Sequence, residues 1–295
     1  MKRCVQLCLI LLFALTLCNG AISVQTTQDA LHIWFEKLVP SLFVSMVLVR
    51  ILYKQEILQK LPIPFVKSIF HMDKDSFCMV LCTLFLGFPS GACFLDECYA
   101  NKELTKKEAQ RLLYTCSFAT PSFIILSCGV VLFQSVRIGF LLFLAQVTSG
   151  LCLLFFTRKT CIVTHHKKSF VISSISKDLS SSIMESGKIL YMIGGYLLFF
   201  MCCANLLFSF LPISLSYTLR ILSEFSSGIM LLNTLSLSSI TLQLLTCMVL
   251  SFGGFCVHLQ VYSLLEHLPF SYPTYLRYRL LQSVLSALIY CCFLL

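Results

Sequence analysis

Gly87-Phe88-Pro89-Ser90-Gly91 interrupts one long apolar stretch, and Phe225-Ser226-Ser227-Gly228 interrupts another, with Phe225 lying 137 positions after Phe88. Each is followed some 25 to 30 residues later by a second break, Thr120-Pro121 in the first half and Gly253-Gly254 in the second. Helix-breaking residues inside membrane-length segments leave backbone groups with neither water nor a helical partner. Such backbone persists only where it is buried in protein or lines a polar cavity. Interrupted segments at matching places in two halves are a sequence pointer to a transporter's binding site.

Composition fixes the environment. Of 295 residues, 58% are hydrophobic and only 12% charged, and the mean hydropathy is +0.88. A soluble domain carries about 25% charged residues, so this is an integral membrane protein. There is no polar stretch long enough for a separate soluble domain. The 17 cysteines read as small hydrophobes. Cys78, Cys82, Cys128, Cys152, Cys202, Cys203, Cys247 and Cys256 lie inside apolar runs, and no CxxC pairs with a second CxxC or a spaced His. Neither a disulfide framework nor a metal site is expected.

The net charge of +9 belongs to the membrane topology and not to nucleic acid. Residues 1–21 read as a signal peptide or a short first span, with Met1-Lys2-Arg3 as the basic start and Asn19-Gly20-Ala21 at the end. Residues 19–33 then emerge on the outer side. A span at 34–53 leads inward to a loop holding Lys54, Lys60, Lys67 and Lys74. Residues 76–100, broken at 87–91, are expected to form a hairpin that re-enters the membrane from the inner side. Thr105 and Glu108 form a capping box that starts a helix broken at Thr120-Pro121. A span at 138–157 returns inward.

The basic loop 159–187, with His165-His166-Lys167-Lys168, is expected in the cytoplasm. The second half runs oppositely: a span at 188–210, a hairpin at 214–237 broken at 225–228, a helix at 240–266 broken at Gly253-Gly254, an inner loop 267–279 and a last span. Only Lys37, Arg137 and Arg220 then fall outside, and the other 19 of 22 Lys and Arg fall inside, as the positive-inside rule demands. The expected fold is an all-α polytopic membrane protein. It comprises two inverted repeats, 31–158 and 188–295, with two re-entrant helical hairpins and two broken transmembrane helices.

Free N–H groups at half-helix N-termini can hold an anion without a formal charge. The candidate solute site therefore comprises Ser90, Gly91, Thr120, Pro121, Ser122, Ser226, Ser227, Gly228, Gly253 and Gly254, with Glu224, His258 and Gln260 beside the breaks. The competing reading is that small residues only permit tight helix packing. An acid at membrane depth is costly and points to function. Glu224 has three readings: contact with solute or a coupling ion, a cap on the broken backbone, or a pair with Arg220. Asn205 is read as an interhelical hydrogen bond, Glu108 and Arg111 as a solvated helix face, and Asp96 and Glu97 as lying near the inner surface. Enzyme signatures are absent: there is no HExxH, no GxGD, no nucleophile elbow, no phosphate-binding loop and no dinucleotide fingerprint.

Several of these residues also carry a resemblance. The run from Trp34 through Pro40-Ser41-Leu42, then Gly87 to Ala92, Leu104-Thr105 with Glu108-Ala109, and Pro121-Ser122-Phe123 resembles the sporulation integral membrane protein YlbJ family. Ser186-Gly187, Ile193-Gly194-Gly195, Glu224 with Gly228, Ser251 to Phe255 and Val257 to Val261 extend it over about residues 31–290. That family carries the nucleoside-recognition "Gate" domain. The resemblance implies a membrane protein of spore-forming Firmicutes, in the mother-cell or outer forespore membrane, that moves dipicolinic acid toward the forespore. It names no cofactor, and its implied partners are the solute, the bilayer, a second copy or sporulation membrane proteins. One departure stands out: Cys116-Ser117-Phe118-Ala119 lacks an Asn frequent in the family. The expected function is a secondary-type transporter. The alternatives are a non-transporting membrane scaffold acting through the basic loop, and a nucleoside-type carrier.

Overall fold

Every regular element among the described residues is helical. The computed structural model describes residues 2–64, 66–158 and 174–294. In chain order the helices are α1 (Lys2–Cys18), α2 (Gly20–His32), a π-helical segment (Ile33–Leu38), α3 (Val39–Lys54), α4 (Val66–Phe70), α5 (Lys74–Leu86), α6 (Ser90–Ala100) and α7 (Lys106–Thr115). A second π-helical segment (Phe123–Leu132) precedes α8 (Val136–Phe156), α9 (Ile175–Phe208), α10 (Ile213–Ser223), α11 (Phe225–Leu232), α12 (Ser239–Phe252), α13 (Gly254–Leu264) and α14 (Tyr272–Leu294).

Among the described residues three helices are long and apolar enough to cross a membrane: Val136–Phe156, Ile175–Phe208 and Ser239–Leu264. A fourth candidate is the pair Leu9–Cys18 and Gly20–Lys54, bent by 98° at Asn19. Phe156, Tyr191 and Met184 are 77, 74 and 73% exposed on these helices, as side chains facing lipid would be. Helix α14 spans 23 residues but carries Arg277, Arg279 and Gln282 in its first half.

Two helix pairs fold back on themselves. Helices α5 and α6 pack together, as do α10 and α11. Each pair closes through the glycine of its break motif. A Cβ on Gly91 would lie 3.2 Å from Thr83 Cα, and one on Gly228 would lie 2.8 Å from Ile221 Cα. Small residues there let two backbones touch, which is how helices gain packing energy in lipid. The pairs are anchored at different heights of one long helix. Glu97 of α6 meets Arg50, whereas Met230 of α11 meets Lys37, with Lys37 Nζ 3.5 Å from its sulfur. Thirteen residues of helix separate those anchors, roughly 20 Å.

The sequence reading needs several corrections. Residues 20–32, expected as an outer segment, continue α3 backwards as one helix. They pack on α9, where Asn205 Nδ2 donates to Thr26 Oγ1 at 3.0 Å, the interhelical bond expected of Asn205. The loop expected over 159–187 is helical from Ile175 onward, and its histidines and the other residues 159–173 lie outside the described residues. The last helix starts at Tyr272 and not after Arg279.

The breaks also move: the first hairpin turns at 87–89 and the second at Glu224, while Ser90 and Phe225 already begin helices. The capping box at Thr105 and Glu108 is present, with Thr105 N donating to Glu108 Oε2 at 2.9 Å. Glu108 and Arg111, however, are 6 and 5% exposed and form no solvated face. Arg111 turns inward, and its Nη2 donates to Phe70 O at 2.8 Å and Leu154 O at 2.9 Å.

Candidate solute site at the four breaks

The four breaks meet. Gly87 lies against Thr120, Gly254 lies against the backbone of Leu222, Ser223 and Phe225, and Gly253 faces the Phe88 ring. Phe88 and Phe225 touch edge to face at 5.2 Å, and Phe225 meets Phe123 at the same distance. Gly253 and Gly254 have φ of +86° and +74°, a conformation that costs little only for glycine.

Several of the backbone groups freed at the breaks already have partners, as burial requires. Glu224 caps α11: its carboxylate accepts from Ser226 N at 3.0 Å, Ser227 N at 2.7 Å and Ser226 Oγ at 2.9 and 2.8 Å. It makes no ion pair with Arg220, whose Nε is buried without a hydrogen-bond partner. At the end of α12, the Leu250 carbonyl accepts from Gln146 Nε2 at 3.1 Å, and the Phe252 carbonyl pairs with His258 Nε2 at 2.9 Å. At the end of α7, Arg279 donates to Ser117 O at 2.6 Å and to Tyr114 O at 2.7 Å, and Phe88 N donates to Phe118 O at 2.7 Å. Thr120 Oγ1 accepts from Phe123 N at 3.3 Å, and Pro121 opens the helical turn that follows.

The remaining candidates divide. Ser122 Oγ donates to Ser41 O at 3.0 Å, joining the second break to α3. Ser90 is buried with its hydroxyl 3.6 Å from Met46 sulfur. Gln260 Nε2 lies 3.4 Å from Cys256 sulfur, and its Oε1 is buried without a partner. Open space lies beside the breaks. A cavity of about 450 Å³ is bounded by both π-helical segments and α11, and Ser41, Phe123, Ser127, Ser226, Glu36, Lys37 and Asn233 are in its wall. π-helical turns occur frequently at functional sites. Glu224, Ser227 and Gly228 face a smaller space of about 140 Å³ with Asn205 and Arg220. Among the described residues no three His, Cys, Asp or Glu side chains gather as a metal site would need.

At the opposite end the chain is closed by a network that the sequence reading did not single out. Arg50, 1% exposed, donates from Nη1 to Glu97 and Glu185, both at 2.7 Å, and Lys54 pairs with Glu185 at 3.1 Å. Asp96 accepts from the backbone N–H of Glu266, His267 and Leu268 at 3.2, 3.0 and 2.6 Å, and from the His267 ring at 3.0 Å. That hydrogen bond raises the His267 pKa. A positive Arg50 in a span flanked by two distant acids was the available sequence signal.

Comparison with known proteins gives a distant likeness. The chain is 22% identical over 309 residues to the sporulation integral membrane protein YlbJ of Bacillus subtilis, covering 90% of this chain and 76% of that protein. The chain is a distant relative of YlbJ. Motifs that carry the resemblance also touch in space: Trp34 packs on Gly194 and donates from Nε1 to Leu190 O at 3.0 Å. No protein-family model and no solved structure matches.

Proposed function

We propose that this protein is a secondary-type carrier of a small polar or anionic solute and not an enzyme. It works, like the relative whose name says so, in sporulation. In this reading 31–158 and 188–295 are inverted halves, and the two hairpins re-enter the membrane from opposite sides and meet at Phe88 and Phe225. The observation that carries the reading is the cavity of about 450 Å³ reaching Ser226 at the tip of the second hairpin. Its volume falls among ligand pockets, about 300–1,000 Å³. The anchoring of the hairpins at Arg50 and at Lys37 supports opposite entry. The solute sits in this cavity, and the partnered breaks serve as hinges: most of their hydrogen bonds come from side chains that can re-form in a second arrangement. Alternating access follows from rocking one half against the other. By its resemblance to YlbJ the solute is dipicolinic acid, carried toward the forespore.

Uptake of labelled dipicolinate and other small anions into proteoliposomes tests this. Ser127→Phe fills the cavity without touching a cap or a hairpin contact. It is expected to abolish flux while leaving expression and gel-filtration behaviour unchanged. Absence of solute-dependent flux in well-assembled wild-type protein, or full flux in Ser127→Phe, overturns the carrier reading.

A further inference from the structure

We infer that Glu97 is the latch of an inner gate, which rests on the carrier reading and says how the far end of the solute path is held shut. The cavity that reaches Ser226 is walled by the first turn of α3, at Pro40 and Ser41. From Ser41 to Arg50 is roughly 14 Å of helix. The Arg50 guanidinium, 1% exposed, donates from Nη1 to Glu97 Oε2 at 2.7 Å and from Nη2 to Glu97 Oε1 at 3.1 Å, a two-pronged bond. Nη1 also donates to Glu185 Oε2 at 2.7 Å.

The two acids belong to different groups of helices. Glu185 is on α9, which lies along α2 and α3: Asn205 meets Thr26, Trp34 meets Leu190 O, and Lys54 meets Ser181 at 2.9 Å. Glu97 is on α6, the return arm of the first hairpin. Its neighbour Asp96 holds the loop after α13, and that loop is bonded to α7 where Ser271 N donates to Tyr114 Oη at 3.0 Å. The Arg50–Glu97 bond therefore ties one group to the other at the inner end. Elsewhere α6 meets α3 through contacts that can slide, Ser90 Oγ at Met46 sulfur and Phe94 edge to face with Tyr53 at 4.8 Å. Tyr53 adds a hydrogen bond to Glu103 in the turn beyond α6. The side chains of Glu97 and Glu185 are 44 and 36% exposed, far wetter than their cation. Glu97 can pass to water at little cost, whereas Arg50 left unpaired would be costly, and Glu185 keeps it paired. A space of about 100 Å³, lined by Arg50, Lys54, Glu97 and Asn101 among others, already reaches the guanidinium.

The test follows thiol modification of the full chain in detergent, read site by site by peptide mass mapping. Cys93, 8% exposed, lies one turn nearer the hairpin tip than Glu97 and reports the inner end. Ser127→Cys places a second reporter in the cavity wall. Glu97→Gln is expected to speed modification of Cys93 about tenfold, the population shift for losing a charged hydrogen bond. It is expected to slow modification of the Ser127→Cys thiol, because alternating access closes the cavity as the inner end opens. Glu185→Gln leaves the two-pronged bond in place and should change neither rate appreciably. Faster modification at both sites, or at Cys93 with the cavity unchanged, is local loosening and overturns the latch. An unchanged Cys93 rate, or an equal effect of Glu185→Gln, overturns it too. Neither rate depends on solute flux. Wild type that takes up no solute sinks the carrier reading alone, and an unchanged Cys93 rate in a protein that does transport sinks the latch alone.

Discussion

Glu224 and Asp96 are both buried acids, and each spends its oxygens on backbone N–H groups. Glu224 holds the first turn of α11. Removing it leaves the N–H groups of Ser226 and Ser227 buried without acceptors, so Glu224→Ala is expected to lose about 1–3 kcal/mol. Glu224→Gln keeps one acceptor oxygen and should lose less; thermal unfolding in one detergent compares them. Asp96 adds a charge-assisted bond to His267, whose folded pKa lies above the ordinary 6.5. A raised pKa means that this bond stabilises fully below pH 6.5 and fades as pH rises through the raised value. Asp96→Asn is therefore expected to lower the unfolding temperature more at about pH 6 than at about pH 9, and to return the His267 titration toward 6.5 in an NMR series. The sequence left Glu224 among three roles because an acid before Phe-Ser-Ser-Gly suits all of them. Arg111 was misread because its position in a polar helix start gives no sign of Phe70 and Leu154, which lie far away in sequence.

The helical hairpins were legible as elements, although their turns were misplaced by a few residues. Pro89 and Gly91 mark the interruption, but a capping acid, not the glycine, sets where α11 begins. Gly91 and Gly228 act at a different point, where two backbones touch. Gly228→Ala forces a Cβ to within 2.8 Å of Ile221 Cα and is expected to cost about 1–3 kcal/mol. Gly195 has nothing within 4 Å of its Cβ position, so Gly195→Ala should be neutral or gain up to about 1 kcal/mol. Unfolding temperatures of the two variants in the same micelle decide this. The π-helical segments that bound the cavity were not legible. One added residue per turn leaves no mark in composition, and neither Ile33–Leu38 nor Phe123–Leu132 contains a residue that demands it.

For the molecule as a whole, hydropathy revealed α8, the apolar part of α9 and the α12–α13 span. It missed that α9 runs on for 34 residues, about 51 Å, against a hydrocarbon core of about 30 Å. The surplus turns carry Asp178, Ser181 and Glu185, polar enough to read as loop, yet they grip the end of α3 through Gln55, Lys54 and Arg50. Long-range pairing of that kind leaves no local signature. Opposite entry of the hairpins predicts a labelling pattern. Asn101→Cys, just after α6, and Asn233→Cys, just after α11, are expected to react with impermeant maleimide from opposite sides of sealed vesicles. The experiment needs a background lacking the exposed Cys18, Cys291 and Cys292. Labelling of both from one side removes the inverted arrangement.

The contact of Phe88, Phe123 and Phe225 has an electrical consequence. When water fills the cavity down to Ser226, the low-dielectric layer left between the two aqueous phases is thinned to the aromatic contact and the packed end beyond it. A transmembrane voltage falls mainly across such a layer, at about 2.3 kcal/mol per elementary charge per 100 mV. In the proposed carrier, a charged solute would thus reach Ser226 having crossed little of the field, and would meet most of it on passing the rings. Voltage should then act on the translocation step and leave the affinity for solute nearly untouched.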